Sequence, residues 1–460
     1  MACARRRKAP LALVCAALVL QVFLQRLVLS SGSSAVIKLP LVKRYAVHGG
    51  THLGRLAMPE SLMIRRLDGS HKAISIVSQL HGGFRLGVFY MQVEVDGLQV
   101  HVHVDTGSAA LAVPFMQSSL SSTTESSVQC NADVCQGKTD RCRISSKCGG
   151  CGEFRGCCAK QNVSQCAFNV RYADGSSLDG HVLRGALKIG SLQAPVYYGG
   201  IQSQTTNFAR ENVTGIFGLA PADHVCYPNC HRAPFAEFVE QSKIDNVFAM
   251  CLAADGGVLS IGGLDRSMVN LREEPVHWIP YDTSADVFSI GRCNGIKVGD
   301  VIIDMSHTPT NRILVDSGTT LIVVPTSLWR PIEKAFTSKY CSVVNACNTT
   351  EKWLYPMGCY EQERSSFGGF PTLEFKLADG HVLKLEPEIY MVPVTLNGKK
   401  YTCFGVQAQD LGHSSIIFGN VLMQKYLTVF DRMTHKIGFG WPGHACRANN
   451  ESTLTASKFP

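Results

Sequence analysis

Charge is scarce in this chain. Asp, Glu, Lys and Arg make up only 17 % of its 460 residues, against 45 % apolar residues. That balance excludes a disordered, collagenous or coiled-coil protein. A basic body is also missing: residues 1–80 hold 12 Lys/Arg against 2 Asp/Glu, but the rest of the chain holds 32 against 34, so no nucleic-acid surface is implied. No apolar run reaches the ~18 residues expected of a membrane span; the longest, Leu11–Leu24, is interrupted by Gln21. A Gly-x-Ser-x-Gly elbow between a strand and a helix is absent as well, which excludes a serine hydrolase of that type. What is abundant is turn chemistry, with 42 Gly and 19 Pro, the signature of a mainly β fold.

Nineteen Cys and four Asn-x-Ser/Thr sequons, at Asn162, Asn212, Asn348 and Asn450, point to an oxidising, glycosylating secretory route. The expected destinations are the extracellular space or an endolysosomal or vacuolar lumen, with ER or Golgi as alternatives. Arg5-Arg6-Arg7-Lys8, the apolar stretch and the small residues Ser30–Ala35 form a signal peptide over 1–35, with an uncleaved anchor as the alternative. A membrane partner is expected only in that second case. Residues 36–80 read as a basic pro-segment, with Lys43-Arg44 and Arg65-Arg66 as processing points, or else as a solvated tail. Residues 447–460 form a polar tail.

The body is organised by an internal repeat. Val104-Asp105-Thr106-Gly107-Ser108 is followed by an apolar run ending at Pro114, and Val315-Asp316-Ser317-Gly318-Thr319 by one ending at Pro325, 211 residues later. Each copy has a second element, Gly215-Ile216-Phe217-Gly218 and Ile416-Ile417-Phe418-Gly419. Two lobes are therefore expected, 81–275 and 276–446. Alternating runs around Asp96-Gly97 predict a β-hairpin, and short helices are expected at Pro234–Gln241 and Ser327–Lys339.

One Asp-Thr/Ser-Gly tripeptide occurs by chance; two, each after a β-branched apolar strand and each followed by a hydroxyl residue, resemble the pepsin-like family of aspartic peptidases over about residues 84–446. The resemblance implies a bilobal β fold and an endopeptidase acting on an extended peptide or protein substrate. Asp105 and Asp316 would be catalytic, sharing one proton and needing neither metal nor cofactor. Thr106 and Ser317 would hold the two loops together, Ser108 and Thr319 would bond the carboxylates, and Gly107 and Gly318 would allow close approach. Val170–Ser176 resembles the family's flap, with Tyr172 at the tyrosine position and Asp174-Gly175 in its turn. A monomer is expected. The rival reading is a silent binding protein of the same fold, typically one that has lost an Asp or its glycines; both are present here.

Within residues 115–170 sits a Cys-rich insert, Cys130, Cys135, Cys142, Cys148, Cys151, Cys157, Cys158 and Cys166, resembling the nepenthesin and plasmepsin V branch. In a secretory chain these read as disulfides rather than a zinc site, and Cys226 and Cys230 as a local pair. Removal of Cys3 and Cys15 with the signal leaves 17 Cys, an odd number. His101 and His103 alternate onto one face of their strand and, without a third ligand or a nucleophile motif, read as ordinary strand residues.

Overall fold

The computed structural model describes residues 76–446 apart from 84–87, 116–126, 130–131, 133, 135–165, 173–175, 206–212, 223, 227–229, 255, 306–311, 344–357, 397–398 and 410–414. Asn162, Asn212, Asn348 and Asn450 of the four sequons, the signal and pro-segment up to residue 75, the tail, and the cysteines from Cys130 to Cys158 of the insert lie outside the described residues.

The amino-terminal half runs through β1 (Ile76–Gly83), β2 (Val88–Val95), β3 (Leu98–Asp105), β4 (Leu111–Pro114), β5 (Ala167–Arg171), β6 (Ser177–Ile189), β7 (Leu192–Gln204) and β8 (Gly215–Gly218). A small hairpin follows, β9 (His224–Cys226) and β10 (Cys230–Arg232), then helix α1 (Pro234–Ser242), β11 (Val247–Ala253) and β12 (Gly256–Ile261). The carboxy-terminal half holds β13 (His277–Pro280), β14 (Ser289–Val298), β15 (Val301–Asp304), β16 (Arg312–Val315), β17 (Ile322–Val324) and helix α2 (Thr326–Lys339). It ends with β18 (Cys359–Tyr360), β19 (Leu373–Leu377), β20 (Val382–Leu385), β21 (Met391–Leu396), β22 (Lys399–Phe404), β23 (Val406–Ala408), β24 (Ile416–Phe418), β25 (Leu427–Asp431) and β26 (Lys436–Gly440).

The bilobal β fold is as expected. One 13-stranded sheet, in the order β13-β26-β25-β11-β12-β1-β2-β3-β8-β4-β7-β6-β5, joins the amino-terminal lobe to strands from both halves, and a second sheet, β20-β19-β14-β16-β24-β17-β23, forms the carboxy-terminal lobe. β1 starts at Ile76, within the stretch read as pro-segment, and pairs with both β12 and β2. Alternation explains the strands locally. In β3, Val100, Val102 and Val104 are buried in the core, where Phe248 stacks on Phe430 at 4.6 Å between centroids.

Local signals hold where they are strong. The β2–β3 hairpin turns at Asp96-Gly97 with φ of 49° and 81°, the pair of positive values a two-residue turn demands, and Asp96 then accepts hydrogen bonds from Ala186 N (2.7 Å) and Tyr198 OH (2.7 Å). α1 begins on Pro234, where a missing N–H costs nothing, and α2 spans one residue more than expected at its start. No helix among the described residues is long and apolar enough to cross a membrane.

Two disulfides are in place that sequence spacing does not reveal, Cys251–Cys446 and Cys359–Cys403, with Cα separations of 5.7 and 4.0 Å. Cys166 is also disulfide-bonded, Cys226 lies directly opposite Cys230 in the β9–β10 register, and Cys293 carries a buried thiol. Cys251–Cys446 spans 195 residues and ties the segment after β26 to the joining sheet. Replacing both by Ala should lower the unfolding free energy by about 2–5 kcal/mol, read from urea unfolding against the oxidised parent.

Candidate active site

The two copies of the repeat fold alike. β3 lies parallel to β8, β8 antiparallel to β4, and β4 parallel to β7. In the second lobe β16 lies parallel to β24, β24 antiparallel to β17, and β17 parallel to β23. Asp105 therefore ends one strand and Asp316 directly follows the other, each beside a parallel neighbour. Leu219 N donates to the Asp105 carbonyl at 2.7 Å and Asp316 N donates to the Phe418 carbonyl at 3.1 Å.

The loops meet through a reciprocal cross of four hydrogen bonds. Thr106 N donates to Ser317 Oγ (3.0 Å) and Ser317 N to Thr106 Oγ1 (2.9 Å). Each hydroxyl then donates onward to the opposite strand, Thr106 Oγ1 to the Val315 carbonyl (3.0 Å) and Ser317 Oγ to the Val104 carbonyl (2.7 Å). Both residues are fully buried, so these four groups have no water to fall back on.

Each carboxylate is held in the same way. Asp105 Oδ1 accepts from Gly107 N at 2.8 Å and its Oδ2 accepts from the Ser108 hydroxyl. Asp316 Oδ1 accepts from Gly318 N at 2.8 Å, and its Oδ2 accepts from Thr319 Oγ1 at 2.6 Å. The glycines are required by crowding: a Cβ on Gly107 would stand 2.5 Å from Asp316 Oδ1, and one on Gly318 would stand 2.4 Å from Asp105 Oδ1.

Burial raises both carboxyls above the ordinary range. For Asp316 the charge of Asp105 adds to desolvation, while Thr319 and Gly318 pull the other way. For Asp105 desolvation is opposed by the bonds from Ser108 and Gly107. Ionisation of Asp105 therefore disfavours ionisation of Asp316.

Tyr172 is half-buried and packs against the cluster that includes Ala110, Ala112, Phe168 and Ile216; its N–H closes a turn onto the Ser176 carbonyl at 2.9 Å. It thus stands at the end of the β5–β6 hairpin, on the edge of the large sheet. Asp174 and Gly175 lie outside the described residues. The described ends of the Cys-rich insert dock on β6, through Val128 N to the Val182 carbonyl (3.1 Å) and Val182 N to the Cys166 carbonyl (2.8 Å).

His103, read from the sequence as an ordinary strand residue, has a more particular setting. It lies on the same face as Asp105, is 7 % exposed, and senses the charge of Asp316 and the backbone of Ser317 from across the lobe interface. Alternation signalled the shared face; nothing in the sequence signalled that the other lobe covers it.

The chain is similar to known proteins over most of its length. The eukaryotic aspartyl protease model matches residues 90–441. The chain belongs to this family. It is 22 % identical to aspartic proteinase 36 of Arabidopsis thaliana over 79 % of the chain and 75 % of that protein. It is 26 % identical to cathepsin E of Aquarana catesbeiana over 74 % of the chain and 75 % of the relative. Plasmepsin VII of Plasmodium berghei (strain Anka) is 25 % identical over 45 % of each chain.

The cross makes a stability prediction. Thr106→Val keeps the shape but leaves Ser317 N and the Val315 carbonyl unpaired, and should cost about 1–3 kcal/mol. Combined with Ser317→Ala the loss should be smaller than the sum of the two, measured as a double-mutant cycle in urea.

Proposed function

We propose that this chain is an endopeptidase in which Asp105 and Asp316 activate water for attack on a peptide carbonyl. The observation that carries the reading is a pair of carboxylates, one buried and one half-buried, 211 residues apart in sequence, presented by two copies of one loop and bonded identically. The ionised member takes a proton from the water, and the protonated member donates to the developing oxyanion. The attack needs no covalent intermediate.

The remaining residues have supporting roles. Ser108, Gly107, Thr319 and Gly318 orient the outer lone pairs, so the reacting oxygens stay between the loops. Tyr172 and the hairpin it ends would close over an extended substrate that pairs as a strand with the sheet edge, excluding water from the dyad. The disulfides support folding in an oxidising compartment, consistent with a secretory route and a luminal or extracellular site of action.

The dyad also sets the direction of pH effects. Its carboxyls are raised in the folded state, so the unfolded chain releases their protons first, and the pair disfavours the fold increasingly as pH climbs from about 4 through the raised value. Cleavage of a quenched peptide library between pH 3 and 7.5, with Asp105→Asn, Asp316→Asn and a statine-type inhibitor, tests the reading. Each variant should lose about 10²–10⁴-fold or more in kcat/KM, and Asp316→Asn should raise Tm at pH 8 more than at pH 4. A wild type inert at every pH after removal of the pro-segment, or an active Asp variant, would overturn it.

A further inference from the structure

The pseudo-symmetry of the two loops is broken two residues before each Asp. Before Asp316 the strand carries a half-buried Leu314; before Asp105 it carries a buried His103. The ring is directly opposite Tyr90 of β2 and in register with Ile216 of β8. Its Nε2 is buried and has no hydrogen-bond partner. A polar nitrogen left unpaired in that setting costs stability that leucine at the matching place does not.

Among the described residues the titratable groups around the ring come from four places. The Asp316 loop reaches the strand beside it, where Ser317 Oγ donates to the Val104 carbonyl at 2.7 Å, and Asp105 lies two residues on along the same face. Tyr90 lies opposite on β2, flanked by His101 at 5.4 Å and by His81 of β1 at 5.6 Å between ring centroids. β8 contributes only apolar Ile216. Burial keeps the imidazole neutral, down to about 4, with Asp316 and the Ser317 backbone acting in the opposite sense. Attraction between two titrating sites is mutual: if the Asp316 charge favours a proton on His103, a proton on His103 favours ionised Asp316.

We propose that His103 is a positioning residue for the dyad, a third proton site behind the Asp316 loop that takes the proton arriving at acid pH and so keeps the carboxylate pair singly ionised. The free Nε2 is the atom that receives it. The same proton leaves a cation in the lobe interface, so acid tolerance of the dyad is gained at the expense of the fold. A group whose folded value lies below its unfolded one withdraws stability as pH falls from about 6.5 towards 4.

The inference rests on the peptidase reading, and two variants with two readouts separate them. His103→Leu restores the symmetry with Leu314, and His103→Gln keeps a polar side chain without the titration. In both, the acid limb of the kcat/KM profile should move up by about one unit, while the midpoint of acid unfolding moves to lower pH. A purely structural role would shift the unfolding midpoint and leave the acid limb where it was; an unmoved limb in the two variants overturns the proposal. Should the wild type cleave nothing, NMR titration of carboxyl-labelled Asp105 and Asp316 decides the matter without turnover. The lower dyad step must then rise when His103 is replaced, and an unchanged step overturns the inference while the loss of the peptidase reading stands separately.

Discussion

Thr106 and Ser317 each bond through backbone and side chain to the other's lobe, and the dyad depends on that cross. Neither Asp105 nor Asp316 is placed by its own lobe alone. Each sits on a loop whose position is set by a hydroxyl from 211 residues away, and the packing is tight enough that even a methyl group on Gly107 or Gly318 would displace a carboxylate. The two halves act as one site because four buried hydrogen bonds have no alternative partners.

The same closeness dictates the electrostatics. Desolvation pushes both carboxyls up and the charge of Asp105 raises Asp316 further, whereas the amides and hydroxyls of the two loops pull them back. His103 pushes in the contrary sense, losing stability on the acid side where the dyad gains it. Acids raised and a base lowered at one place confine the stability of the fold from both directions in pH.

Legibility in the sequence followed the length scale of each interaction. The Asp96-Gly97 turn, the Pro234 helix start and the doubled Asp-Thr/Ser-Gly loops rest on contiguous residues, and the structure builds them as read. The 13-stranded sheet was less readable, because β11 pairs with β25 across about 180 residues and no local pattern specifies that partner. Cys251–Cys446 and Cys359–Cys403 were hidden for a related reason: a count of cysteines does not determine their connectivity. His103 shows the limit most sharply. Alternation places it beside Asp105, but the neighbour that gives it meaning, Asp316, belongs to the other lobe.

One proton held between the two carboxylates is the central claim, and carboxyl-labelled aspartate NMR at pH 5.5 tests it directly. The account predicts one protonated and one ionised carboxyl at Asp105 and Asp316, with the second proton leaving only well above the usual aspartate range. Two carboxyls both ionised at pH 5.5, each titrating near the ordinary value of 3.8, would contradict it.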